Sequence, residues 1–150
     1  MAKKPGTTIT YPEDLKWEAV GPLDENGKGI FVSLLYGDLE TKSPTNFLMK
    51  YSAGVKAPPH IHSGDYYAVV VSGNFRHFLE SENEYKVLTA GATWVQKGNV
   101  VHQDCCIRPE DSILNIFWPQ GFNVEFVKNT CRRIDSSYAK PCLTLTPVTA

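Results

Sequence analysis

Short apolar runs rich in Val, Ile, Phe, Tyr, Trp and Leu recur along the chain: LKWEAV, GIFVSLLY, NFLMKYSA, YYAVVVSG, NFRHFLE, YKVLTA, ATWVQ, VVHQDC, SILNIFW and FNVEFV. Clusters of turn-forming residues separate them, among them GPLDENGKG, SAGVKAPP, VSGN, TAGAT, QKGN and RPED. Many short strands at a spacing of about 8 to 12 residues predict an all-β protein, an antiparallel barrel or sandwich. No window of a dozen residues carries a helical period, and Pro109, Pro119, Pro141 and Pro147 interrupt the later candidates. YYAVVV is apolar at consecutive positions, which predicts a strand buried on both faces and an outward apolar surface that favours a homodimer. No segment repeats, so one barrel is expected over residues 1–127. The polar, Ser/Thr/Pro-rich stretch 128–150 is then a tail packed on its outside.

Length and composition narrow this picture. At 150 residues the chain can bury one sizeable core without staples. Its 42% hydrophobic and 21% charged residues exclude the disordered, collagenous and membrane classes. With 15 Lys and Arg against 16 Asp and Glu and no basic cluster, neither nucleic acid nor a membrane is an expected partner. MAKKPGTTIT lacks the apolar core of a signal peptide, so the expected location is cytoplasmic, or periplasmic if a leader has been removed. Cys105, Cys106, Cys131 and Cys142 have no CxxC spacing and read as four reduced thiols, with a Cys131–Cys142 disulfide as the alternative.

The candidate chemistry lies in histidine spacing. In PPHIHSGDYYAVVVSG, His60 and His62 stand two apart, so on a strand they face one side together. Gly54 and Gly73 bracket the segment and can supply the positive φ of tight turns. Forty residues later, GATWVQKGNVVHQDC offers His102 from another strand. Three imidazoles suit zinc, iron, manganese, nickel or copper and leave coordination positions open for water or substrate.

This pattern resembles the cupins. Their first motif reads Gly, five residues, His-x-His, three or four residues, Glu, six residues and Gly, and it maps onto Gly54, His60, His62, Tyr66 and Gly73. Their second reads Gly, five residues, Pro-x-Gly, two residues, His, three residues and Asn. It maps onto Gly91, Lys97, Asn99 (with Gly98 beside it), His102 and Cys106. GDYYAVVVSG and WVQKGNVVH are also similar to a group of small bacterial cupins of unsettled function. The resemblance implies a double-stranded β-helix, or jelly roll, with a divalent metal on His60, His62 and His102, and a dimeric assembly.

The departure is Tyr66, which stands where the motif has a carboxylate. A phenol is a poor ligand at neutral pH, so the simplest site is three neutral imidazoles, leaving a local charge of about +2 rather than about +1. Such a centre is similar to that of three-His cupins that cleave β-diketones or oxidise thiols with O₂. This implies an Fe(II) dioxygenase, an oxidoreductase acting on a small anionic or chelating substrate. A metal-dependent lyase or isomerase and a non-catalytic binding module are the alternatives. Tyr66 reads as a pocket wall or hydrogen-bond donor to substrate, with core packing as the alternative. Asp65 could swing inward by a slip at the strand start and Asp104 shares the face of His102, so either could join the metal ligands; supporting or solvated roles are expected for both. His77, on a face with Phe75 and Leu79, reads as packing or a solvent-facing ring. Gln96 and Gln103 lie near the site in sequence and could orient a substrate, with solvated side chains the expectation; Trp94, Phe117 and Trp118 read as core or dimer contacts, with pocket lining as the alternative. Cys106 shares a face with His102 and Asp104 and can approach the cavity.

Overall fold

A computed structural model describes residues 6–79 and 86–127. Its strands are β1 (Glu18–Ala19), β2 (Ile30–Tyr36), β3 (Thr45–Tyr51), β4 (Lys56–Ile61), β5 (Tyr66–Ser72), β6 (Asn74–Leu79), β7 (Thr93–Gln96), β8 (His102–Ile107), β9 (Ser112–Trp118) and β10 (Glu125–Phe126). The helical content among these residues is one 3-10 turn, Pro12–Asp14. From β3 onward successive strands alternate between two antiparallel sheets. One sheet has the order β1-β2-β3-β9-β5-β7 and the other β10-β4-β8-β6. The chain therefore winds around a shared interior, as the jelly-roll expectation requires. No described helix is long and apolar enough to cross a membrane.

Two predicted boundaries shift. SAGVKAPP, taken as a turn, contains the start of β4. Pro58 and Pro59 have no N–H to give to a ladder, and the β4–β8 register breaks between Ala57 and His60, where they sit. YKVLTA yields no strand among the described residues and one isolated bridge, Leu88 to Phe75.

The expectation that both faces of YYAVVV are buried is also corrected. Tyr66, Ala68 and Val70 point inward and are buried, whereas Tyr67 and Val71 are about half exposed. No described element covers the outer face of the larger sheet there, so the period-2 alternation of a strand reasserts itself.

The core gathers Phe47, Tyr51, Val70, Phe75, Leu114 and Trp118 from four strands, all nearly inaccessible to solvent. Alternation along β8 sends Cys106 into this cluster as a buried free thiol and Cys105 to the opposite face. Cys105 is disulfide-bonded, which corrects the reading of four reduced thiols. The tail 128–150, with Cys131 and Cys142, lies outside the described residues.

Candidate metal centre

β4 and β8 lie side by side with His60 opposite His102, so the ladder itself brings the two rings together. His62 stands one residue beyond β4, in a loop that must be held by other means. The turn at Lys97–Gly98–Asn99 holds it. Asn99 N–H donates to the His62 carbonyl at 2.7 Å. The Asp65 carboxylate accepts from Gly98 N–H at 2.9 Å and from Lys97 Nζ at 2.6 Å. Gly98 packs so closely that a Cβ there would lie 2.7 Å from the Ser63 carbonyl oxygen. Asn99 occupies the second motif's glycine slot with φ 60°, a left-handed conformation that Asn tolerates better than most residues. From the other side, Asn123 accepts from the Ser63 N–H and hydroxyl through its side chain, and its backbone carbonyl meets His62 Nδ1.

The three rings converge. Centroids are 4.2 Å apart for His60 and His102 and 5.0 Å for both pairs involving His62. One nitrogen of each lies within 4.8 Å of the others, close enough to share an ion. Each Nδ1 faces a backbone carbonyl: Pro58 for His60 at 2.7 Å, Asn123 for His62, and Val100 for His102 at 3.0 Å. Carbonyls only accept, so each Nδ1 carries a proton, and the neutral rings of His62 and His102 keep a lone pair on Nε2. His102 Nε2 is buried and has no hydrogen-bond partner among the described residues. A converging set of pinned imidazole nitrogens fits a divalent cation.

Electrostatics keep two of these rings neutral. Burial pulls His62 and His102 down to about 4, opposed in each case by weaker favourable contacts. Burial acts on His60 too, but Asp104, with Oδ2 3.4 Å from His60 Nε2, outweighs it and raises the ring's pKa. For Asp104, burial pushes upward and the contacts with His60 and His77 prevail, holding the carboxyl well below its usual range.

His77, read from the sequence as packing or solvated, belongs to this cluster. It lies opposite Asp104 in the β6–β8 register, and its Nδ1–H donates to Asp104 Oδ1 at 2.8 Å. Its Nε2 meets Gln96 Oε1 at 2.8 Å. Gln96, expected to be solvated, is buried, and its amide nitrogen donates to the carbonyls of Lys97 and Val100. The signal for both was present: His77 shares a face with Phe75, and Gln96 with Trp94, and those aromatics point inward. Asn123 had no comparable signal. Asp65 is turned to Lys97 and Gly98, so the inward slip does not occur. Cys106 reaches the core but bonds toward Ser112 Oγ at 3.1 Å, away from the imidazoles.

Tyr66 lies beside the rings, its centroid 5.3 Å from His62 and 4.5 Å from Trp118. Trp94 Nε1–H donates to its hydroxyl at 3.4 Å, and burial, reinforced by Asp104, keeps the phenol protonated by raising its pKa well above the ordinary value. A cavity of about 20 Å³ is lined by His62, Tyr66 and Asp104 among others. His62 and Phe122 also line a larger, mostly apolar pocket of about 390 Å³ with Ile30, Val55, Val124 and Phe126.

Comparison with known proteins agrees with this architecture. A domain family described as a domain of unknown function, DUF4437, matches residues 8–108. Curated protein sequences yield no match. Among solved structures, an RmlC-like cupin from Shewanella frigidimarina is similar at 21% identity and TM-score 0.56, over 75% of this chain and 91% of that one. The polyketide cyclase RemF from Streptomyces resistomycificus reaches TM-score 0.67 at 15% identity, over 83% and 87%. The DMSP lyase DddQ from Ruegeria pomeroyi reaches 0.63 at 12% identity, over 84% and 73%. At such identities the likeness establishes the cupin fold alone.

Proposed function

The chain belongs to the DUF4437 family and has the cupin fold, and from that premise we propose that it is an enzyme whose His60, His62 and His102 hold one divalent metal, Fe(II) foremost. The observation that carries this reading is the convergence of the rings: each Nδ1 lies against a backbone carbonyl, and one nitrogen of each of His60, His62 and His102 lies within 4.8 Å of the others. When bound, such an ion polarises a substrate oxygen as a Lewis acid and, if it is iron, also supports redox chemistry with O₂.

The protein's own groups favour a small substrate with a chelating oxygen end and an apolar body. The pocket of about 390 Å³, with His62 in its wall, accommodates the body and excludes water. Tyr66, protonated and accepting from Trp94, keeps its own hydrogen to donate to a substrate oxygen. A dioxygenase acting on a β-diketone-like enolate uses both features. A non-redox lyase or isomerase is the second reading, favoured by the protonated phenol beside the imidazoles, which is placed to deliver a proton. Val95, Tyr67 and Phe117, adjacent on β7, β5 and β9 and each 40–50% exposed, support a homodimer through the outer face of the larger sheet.

Elemental analysis of untagged protein tests the centre: about one metal per chain is expected in the parent and far less in His62→Ala. Comparable metal in both defeats the assignment. Fe(II)-dependent oxygen uptake with benzoylacetone supports the dioxygenase, whereas zinc-supported turnover without O₂ supports the second reading.

A further inference from the structure

The first motif lacks its carboxylate, yet a carboxylate faces the imidazoles from another strand. Asp104 lies two residues beyond His102 on β8, so both side chains project from one face, and both are buried. Its two oxygens have different partners. Oδ1 accepts from His77 Nδ1–H at 2.8 Å, and Gln96 Oε1 engages the far nitrogen of that ring, which fixes its orientation. Oδ2 looks across 3.4 Å at His60 Nε2. Because His60 keeps its proton on Nδ1, against the Pro58 carbonyl, a neutral His60 turns a lone pair toward the carboxylate's lone pair.

At that distance inside a barrel the two atoms are held together by a positive charge between them, a proton on His60 Nε2 in the metal-free protein or a cation that takes the proton's place. His102 Nε2, buried and without a hydrogen-bond partner among the described residues, faces the same cluster. Ligand atoms of Asp104, His102 and His77 lie within 4.8 Å of one another, so the carboxylate and the His102 ring share one neighbourhood.

We propose that Asp104 Oδ2 is the fourth protein ligand of the cation held by His60, His62 and His102, supplying from β8 the carboxylate that the chain lacks at Tyr66. His77 and Gln96 are then positioning residues that aim it. The inference rests on the metal-centre reading and changes one consequence of it. A carboxylate in the ligand set lowers the net charge of the centre by one, so the substrate need not be an anion. The apolar lining of the larger pocket agrees with this.

Co(II) binding provides the test, followed by optical spectroscopy on the full chain. If the parent takes up no Co(II), the metal centre itself fails, independently of Asp104. If it does, Asp104→Cys should show a thiolate-to-cobalt charge-transfer band that the parent lacks. A folded Asp104→Cys that binds Co(II) without the band overturns the proposal. Should that variant not fold, Asp104→Asn decides, with circular dichroism as the check on its fold. Loss of an orienting partner weakens metal binding about 10–100-fold. Weakening past about 100-fold therefore supports direct ligation, and any smaller loss refutes it.

Discussion

The same strands build two unlike halves of one interior. β8 contributes His102 and Asp104 to the first half and Cys106 to the second; β5 contributes Tyr66 and then Val70; β9 contributes Trp118 and then Leu114. In the second half Phe75, Val70 and Leu114 are essentially inaccessible, and Tyr51 meets Phe75 edge-on at 5.0 Å. Its polar atoms close on one another, the Cys106 thiol on Ser112 Oγ and that hydroxyl on the Asn74 carbonyl. In the first half the buried His102 Nε2 has no hydrogen-bond partner among the described residues, and the Asp104 carboxylate is shared between His60 and His77. Buried polar groups are ordinarily satisfied, so the unpartnered nitrogen marks the first half as the place suited to a guest, whereas the thiol and hydroxyl of the second satisfy each other.

The contrast breaks most visibly with Leu114→Ala. Truncating a fully buried leucine in a close-packed cluster should destabilise by about 2–5 kcal/mol, read from urea denaturation, while about one metal per chain is retained. Loss of metal in a folded Leu114→Ala would mean that the halves are not separable.

Acid should probe the opposite half. His62 and His102 have folded values near 4 against 6.5 for the free ring, so between those values the unfolded chain binds protons that the fold refuses. Stability of the metal-free protein is therefore fully present above about pH 6.5 and is lost as pH falls toward 4, by about 2 kcal/mol per ring at pH 5. His60 runs the other way, since its raised value favours the fold in acid, and it offsets part of this loss. Urea titrations at pH 7 and 5 measure the slope. A slope unchanged in folded His62→Leu/His102→Leu would assign it elsewhere.

The apolar half was the more legible in the sequence, and for a physical reason. Alternation along β3, β5 and β9 is a local property, so inward positions such as Phe47, Val70 and Leu114 follow from residue type and period alone. The three-His set was legible because motif spacing encodes strand and turn lengths. What joins that set could not be read the same way. His77 meets Asp104 only through the β6–β8 register, and Asn123 reaches His62 across 61 positions of chain. Pro58 and Pro59 read as a turn because a strand tolerates them only where its ladder is interrupted, and that interruption is a property of the pairing with β8.

The smallest effects are expected in the turn that holds His62, and they separate the two reasons for its residues. At Gly98 the requirement is space. A methyl group 2.7 Å from the Ser63 carbonyl must push the two loops apart, so Gly98→Ala should weaken metal binding about tenfold through the displaced His62. At Asn99 the requirement is conformation. With φ 60°, Asn99→Ala should destabilise by about 1 kcal/mol, whereas Asn99→Gly should be neutral within a few tenths. Asn99→Gly also restores the residue that the motif has in this slot, and the backbone N–H that donates to the His62 carbonyl survives the change. Metal affinity should therefore be unaltered in Asn99→Gly. A clear loss would show that the Asn99 side chain, and not its backbone, positions the ligand loop.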